Sequence, residues 1–137
     1  MIHGLGCDIV RIQRLTPWCF SNSLLMRVFT SSEIALLPSF VREQNTEKVS
    51  SAHIHRASEQ LAGMFSAKEA YKKAVSNGYG KTVYMKDIII EKNANGSPRL
   101  RLERSAAKAL VACCASYALV SISHEKEYAV ATVMVGS

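Results

Sequence analysis

The run Phe65-Ser66-Ala67-Lys68-Glu69-Ala70-Tyr71-Lys72-Lys73-Ala74 constrains the fold more than any other part of the chain. Its residues are strong helix formers, and from Phe65 no Pro or Gly intervenes until Gly78 and Gly80, so the pattern predicts a long helix from about Arg56 to Asn77. Leu61, Phe65, Ala70, Tyr71, Ala74 and Val75 give that helix an apolar side, and Lys68 and Lys72 fall on a neighbouring, wetter line. Glu69 and Lys73 are one turn apart, and Phe65 precedes Glu69 by the same step, so the charged pair starts at the edge of the buried face. Taken alone, such a pair is an ordinary solvated helix pair worth about 0.2–0.5 kcal/mol.

The segments on either side predict what packs on the helix. Ile2 to Val10 is a mostly apolar strand ending near Asp8, and Thr16-Pro17 reads as the start of a helix over Trp18 to Val28. Thr30 and Glu33 have the spacing of a capping box opening a short helix through Leu37, which Pro38 stops. Ser39 to Arg56 is a polar excursion. Gly78-Tyr79-Gly80 ends the long helix and lets the backbone approach a ligand closely. Met85 to Lys92 and Arg99 to Leu102 are strands about an Asn95-Gly96 turn, and Arg104 to Tyr117 is a buried helix. Ala118 to Ser123 and Tyr128 to Val135 form a last hairpin. The expected fold is α+β, a mainly antiparallel sheet packed against one long helix, with residues 1–137 as a single domain.

Composition narrows the function. Almost half of the residues are apolar and a fifth are charged, as in a soluble globular protein. The N-terminus carries no secretory signal and no apolar run is long enough to span a bilayer, which predicts a cytoplasmic protein with no membrane partner. The formal charge of +6 favours an anionic partner, but the basic residues are scattered among few aromatics, so no nucleic acid partner is expected. Cys7, Cys19, Cys113 and Cys114 have no metal-type spacing and read as reduced packing residues. His53-Ile54-His55 lacks a third ligand nearby and reads as solvated.

Three places could carry chemistry: Asp8 at a strand end, Glu69 with Lys73, and Ser123-His124. Ser123 and His124 are adjacent in a strand and point to opposite faces, which argues against a serine hydrolase. If the first strand lies along the long helix, Asp8 and Glu69 converge, and two carboxylates suit a hard cation such as Mg²⁺ that shares its shell with a phosphate. Lys73 would add positive charge for the same phosphate.

Three stretches together are specific. Gly6-Cys7-Asp8-Ile9-Val10 with Arg14, Leu61 to Ala70 with Lys73-Ala74, Gly78 and Gly80, and Val120-Ser121-Ile122-Ser123-His124-Glu125 resemble the signatures of the holo-acyl-carrier-protein synthases, the short 4′-phosphopantetheinyl transferases. The resemblance implies transfer of the phosphopantetheine arm of coenzyme A, the substrate, to a serine of apo-acyl carrier protein in fatty acid biosynthesis. It implies Asp8, Glu69 and Lys73 as catalytic residues, with Mg²⁺ held by Asp8 and Glu69. Coenzyme A contacts would come from Lys73, Gly78, Gly80, Asn95, Gly96, Pro98 and His124. A homotrimer with its sites between subunits would bring His124 and the Asn95 to Pro98 turn from the neighbouring chain. Arg14 and Arg27 would dock the acidic carrier protein.

The chain departs from the family pattern at Met64, where an arginine is common; the phosphate contact there is either missing or supplied by another residue such as Arg56. The helix after Arg14 has Arg27 as its only cation, and the 39–56 excursion is longer than is usual. Three alternatives stay open: a transferase serving polyketide or peptide synthase carrier domains, a non-catalytic coenzyme A or nucleotide binder, and a basic interaction module without a small ligand.

Overall fold

A computed structural model describes residues 1–76 and 82–137. Strand β1 (Ile2–Arg11) passes through a 3-10 helix (Ile12–Phe20) into three short helices, α1 (Asn22–Val28), α2 (Ser31–Ile34) and α3 (Ser39–Arg42). The long helix α4 (Ser51–Ala74) follows, then a 3-10 turn (Met85–Asp87), the hairpin β2 (Ile88–Lys92) and β3 (Pro98–Leu102), helix α5 (Arg104–Ala112), and the hairpin β4 (Tyr117–Glu125) and β5 (Tyr128–Gly136). The α+β class is as expected, but the strands make two antiparallel sheets: β1-β5-β4, and a separate β2-β3.

Helix α4 lies on the inner face of the larger sheet because β1 lacks side chains where the two meet. A Cβ on Gly4 would sit 2.0 Å from the carbonyl oxygen of Ala74, and one on Gly6 would sit 1.9 Å from that of Ala70. Ala129, Ala131, Val133 and Val135 of β5 complete the buried face under the helix. By strand alternation Asp8 shares this inner face with Gly6 and Val10, and His124 shares it with Ile122. Asp8 is opposite Ala131 and Ile122 is opposite the same Ala131, so the two edges of the sheet are two strand spacings, about 10 Å, apart.

Several boundaries differ from the sequence expectation. Ile12, Leu15 and Cys19 are buried on one side of the 3-10 helix, Pro17 is inside it, and the Thr16 hydroxyl is 2.9 Å from that of Ser58, so Thr16 starts no helix. Ser21 caps α1 instead, accepting the Leu24 amide. The polar excursion contains α3, and α4 starts at Ser51, where Ser50 accepts the His53 amide. The Thr30 and Glu33 capping box is present. Helix α5 is shorter than expected and only Ala106 and Ala109 are buried; Val111 is 73% exposed. No helix among the described residues is long and apolar enough to cross a membrane.

Candidate active site

The close approach of β1 and α4 delivers Asp8 to Lys73. The Lys73 ammonium donates to Asp8 Oδ1 at 2.9 Å and to the Cys7 carbonyl at 3.0 Å. The hydrogen bond and charge of Asp8, with a further contribution from Glu69, push the Lys73 pKa up, so this group stays cationic. Glu69 is half-buried one turn before Lys73 and makes no hydrogen bond or ion pair among the described residues. Asp8 and Glu69 offer carboxylate oxygens, the donor chemistry that suits a hard divalent cation, although the described residues contain no group of three or more His, Cys, Asp or Glu side chains that could hold a metal ion.

Gly96, Pro98 and His124 lie across a different flank of α4. At about 100° per residue, Gly63, Ala70 and Ala74 share the line that meets the sheet, Glu69 and Lys73 lie about 80–120° round on one flank, and Gln60 and Met64 lie about 60–100° round on the other. The second flank borders a cleft of about 300 Å³ lined by Arg56, Glu59, Met64, Lys92, Gly96, Pro98 and His124, among others. His124 Nδ1 is 3.1 Å from Glu59 Oε2, and His55 Nε2 is 3.7 Å from the same oxygen. Glu91 is paired with Arg99 and Arg101, whose hydrogen bonds hold its carboxyl below the usual range against the opposing effect of burial. Arg56 and Lys92 give the cleft a cationic side. Arg56 and Met64 line the same cleft, about 12 Å apart along α4.

Asn95 is used within its own turn: its Oδ1 accepts from the amide and the hydroxyl of Ser97, while Gly96, at φ +84°, makes the turn possible. Arg14 lies over the Phe65 ring at 5.3 Å, one turn from Glu69, and Arg27 is exposed at the end of α1. Gly78 and Gly80 lie outside the described residues. One chain thus brings Asp8, Glu69 and Lys73 together and separately gathers Gly96, Pro98 and His124. It does not unite the two groups.

A sequence model of the 4′-phosphopantetheinyl transferase superfamily matches residues 4–133. The chain belongs to this superfamily. Among its relatives in the superfamily, the holo-[acyl-carrier-protein] synthase of Ehrlichia chaffeensis is 35% identical over 136 residues, covering 98% of this chain and 96% of the relative. The holo-ACP synthase structure from Plasmodium yoelii superposes with a TM-score of 0.75 at 26% identity, covering 100% of this chain and 97% of that one. That of Helicobacter pylori, solved in complex with coenzyme A, superposes with a TM-score of 0.71 at 29% identity, covering 96% and 99%.

Next to Glu69 on α4 is a residue whose surroundings the sequence expectation misplaced. Lys68, assigned to a wetter line, is fully buried, and its ammonium donates to Glu33 Oε1 at 2.7 Å, the Val28 carbonyl at 2.8 Å and the Met85 carbonyl at 3.0 Å. The signal was in the spacing: Leu61, Met64, Lys68, Tyr71 and Val75 follow the 3-4-3-4 interval of a buried stripe.

Proposed function

We propose that the chain, acting as one domain over residues 1–137, transfers the 4′-phosphopantetheine arm of coenzyme A to a serine of apo-acyl carrier protein for fatty acid synthesis. The observation that carries the reading is the Asp8 to Lys73 contact at 2.9 Å with Glu69 one turn away, in a chain related to named holo-acyl-carrier-protein synthases. The serine oxygen attacks the phosphorus bearing the pantetheine arm. The bond from that phosphorus to the bridging oxygen breaks, and adenosine 3′,5′-bisphosphate leaves with the electron pair. The serine proton passes to Glu69 or to solvent. Such a reaction needs positioning and charge neutralisation more than a protein nucleophile, and Lys73, kept cationic by Asp8, is suited to stabilise charge on the leaving oxygen. Asp8 and Glu69 would hold Mg²⁺, which when bound supplies neutralising charge for the pyrophosphate.

Gly78 and Gly80, together with Asn95, Gly96, Pro98 and His124, are proposed as coenzyme A contacts, with Arg56 standing in for the missing arginine. Arg14, held over Phe65, and Arg27 are proposed to dock the carrier protein, in keeping with a net charge of +6. A homotrimer would join one subunit's Asp8 flank to the next subunit's His124 flank. Leu5, Ile9 and Leu119 support it, since they expose an apolar outer sheet face. The four free cysteines fit a reducing cytoplasm.

Mass spectrometry of apo-acyl carrier protein incubated with the chain, coenzyme A and Mg²⁺ tests the proposal. The expected result is a mass gain of one phosphopantetheine arm that disappears with a chelator and with Glu69→Ala. Coenzyme A binding without release of the bisphosphate would reject transfer in favour of a binding protein.

A further inference from the structure

The two walls of the cleft come from different parts of the fold. Arg56, Glu59, Gly63 and Met64 stand on α4, while Ile90, Lys92, Gly96 and Pro98 stand on the β2-β3 hairpin. That hairpin is a separate sheet with no strand pairing to β1-β5-β4. Ile88 and Ile90 bury it against the core, but apolar contact is non-directional and does not by itself fix how far the hairpin stands from the helix. A directional tie runs through buried polar groups. The Ile90 amide, on the outer edge of β2, donates to Glu33 Oε2 at 3.0 Å, and the other Glu33 oxygen accepts from Lys68 of α4 at 2.7 Å. Glu33 Oε1 also accepts the Thr30 amide and hydroxyl, so the carboxylate is itself held by the α2 cap.

All three ammonium protons of Lys68 have acceptors, and no buried side-chain nitrogen or oxygen among the described residues lacks a partner. A buried pair of this kind is poor evidence for stability, because an apolar replacement of similar volume is often neutral or stabilising. Its placement is more informative: Ile90 to Glu33 to Lys68 links one wall of the cleft to the other. We propose that Lys68 and Glu33 are positioning residues that set the separation of the two cleft walls, and through it the affinity for coenzyme A. Neither residue touches the substrate. The inference rests on the cleft being a coenzyme A site, as proposed above.

The test compares Glu33→Gln/Lys68→Met with His124→Ala. The double variant removes both charges together, keeps side chains of similar size and leaves an acceptor at position 33 for the Ile90 amide. Coenzyme A is varied at saturating apo-acyl carrier protein, and amide hydrogen exchange is read at Ile90 and along β5. Positioning predicts a rise of about tenfold in KM for coenzyme A with kcat within about threefold, together with faster exchange at Ile90 and unchanged exchange in β5. A merely structural pair would lower the melting temperature or leave it alone while both KM and Ile90 exchange stayed at wild-type values, and that result overturns the proposal. If His124→Ala raises KM and the double variant does not, the cleft assignment stands and the positioning role falls. If neither raises KM, the cleft is not a coenzyme A site and the proposal falls with it. Should the double variant not fold, the same measurements on Glu33→Gln decide between these outcomes.

Discussion

A methyl group on residue 6 would sit 1.9 Å from the Ala70 carbonyl oxygen, a backbone atom that cannot swing aside as a side chain can. Gly6→Ala must therefore lift β1 from α4, and Asp8, two residues along the strand, moves with it. The expected cost is about 1–3 kcal/mol by denaturant unfolding, typical of overpacking, with a fall in kcat larger than the loss of folded protein explains. Unchanged turnover in the folded fraction would show that the Asp8 to Lys73 spacing tolerates the shift. Asp8, Glu69 and Lys73 were legible in the sequence because each stands on a strongly patterned element, and one assumption, a strand lying along a helix, brings them together. Lys68 was misread because a lysine normally marks a solvated line. Its partner Glu33 is 35 residues away, and the capping role that Glu33 also fills explained its presence without any appeal to Lys68.

At the level of elements, α5 shows where pattern and structure part. Its alanine-rich run reads as a buried helix, yet it lies against the Tyr71 hydroxyl and Asp87 by its first turns and leaves Val111 in solvent. Periodicity gives the apolar positions of a helix but not what covers them. The same limit applies to the 3-10 helix at Ile12–Phe20, whose buried residues Ile12, Leu15 and Cys19 are three and four apart, as in an α-helix, and whose Thr16 hydroxyl turns to Ser58. What anchors α5 is Asp87, which accepts the Ser105 amide at 3.1 Å, the Ser105 hydroxyl at 2.6 Å and Arg104 Nε at 2.8 Å. Burial pushes its carboxyl pKa up, but the bonds from Ser105 and the charge of Arg104 outweigh that and hold it below the ordinary value. A carboxyl lowered in the folded state contributes stability above its unfolded pKa and loses it as pH falls through the folded one. Asp87→Asn should therefore cost about 1 kcal/mol at neutral pH, and the gap from wild type should close below about pH 4. Urea unfolding at a series of pH values reads this out, and a gap independent of pH would mean that the charge of Asp87 contributes nothing.

For the whole molecule, the decisive fact is that one chain holds the two groups of proposed site residues on opposite flanks of α4, with β5 between the sheet edges that carry Asp8 and His124. The outer face of the same sheet exposes Leu5 (67%), Ile9 (64%) and Leu119 (55%), an apolar surface of the sort that subunits cover. A cyclic assembly in which each subunit offers one flank to each neighbour would complete every site and bury that face with one repeated contact. Mixing two defective variants tests it. Asp8→Ala removes the first half-site and His124→Ala impairs the second, so each pure protein should turn over slowly at limiting coenzyme A. After dissociation and reassembly of an equal mixture, about a quarter of the sites should combine an intact Asp8 flank with an intact His124 flank, because each half is drawn independently from two neighbouring subunits. Turnover should then rise toward about a quarter of the wild-type rate, and sedimentation should report one trimeric species. Activity that stays at the mean of the two pure variants would mean that each chain completes its own site, and His124 would then act, if at all, on the same chain as Asp8.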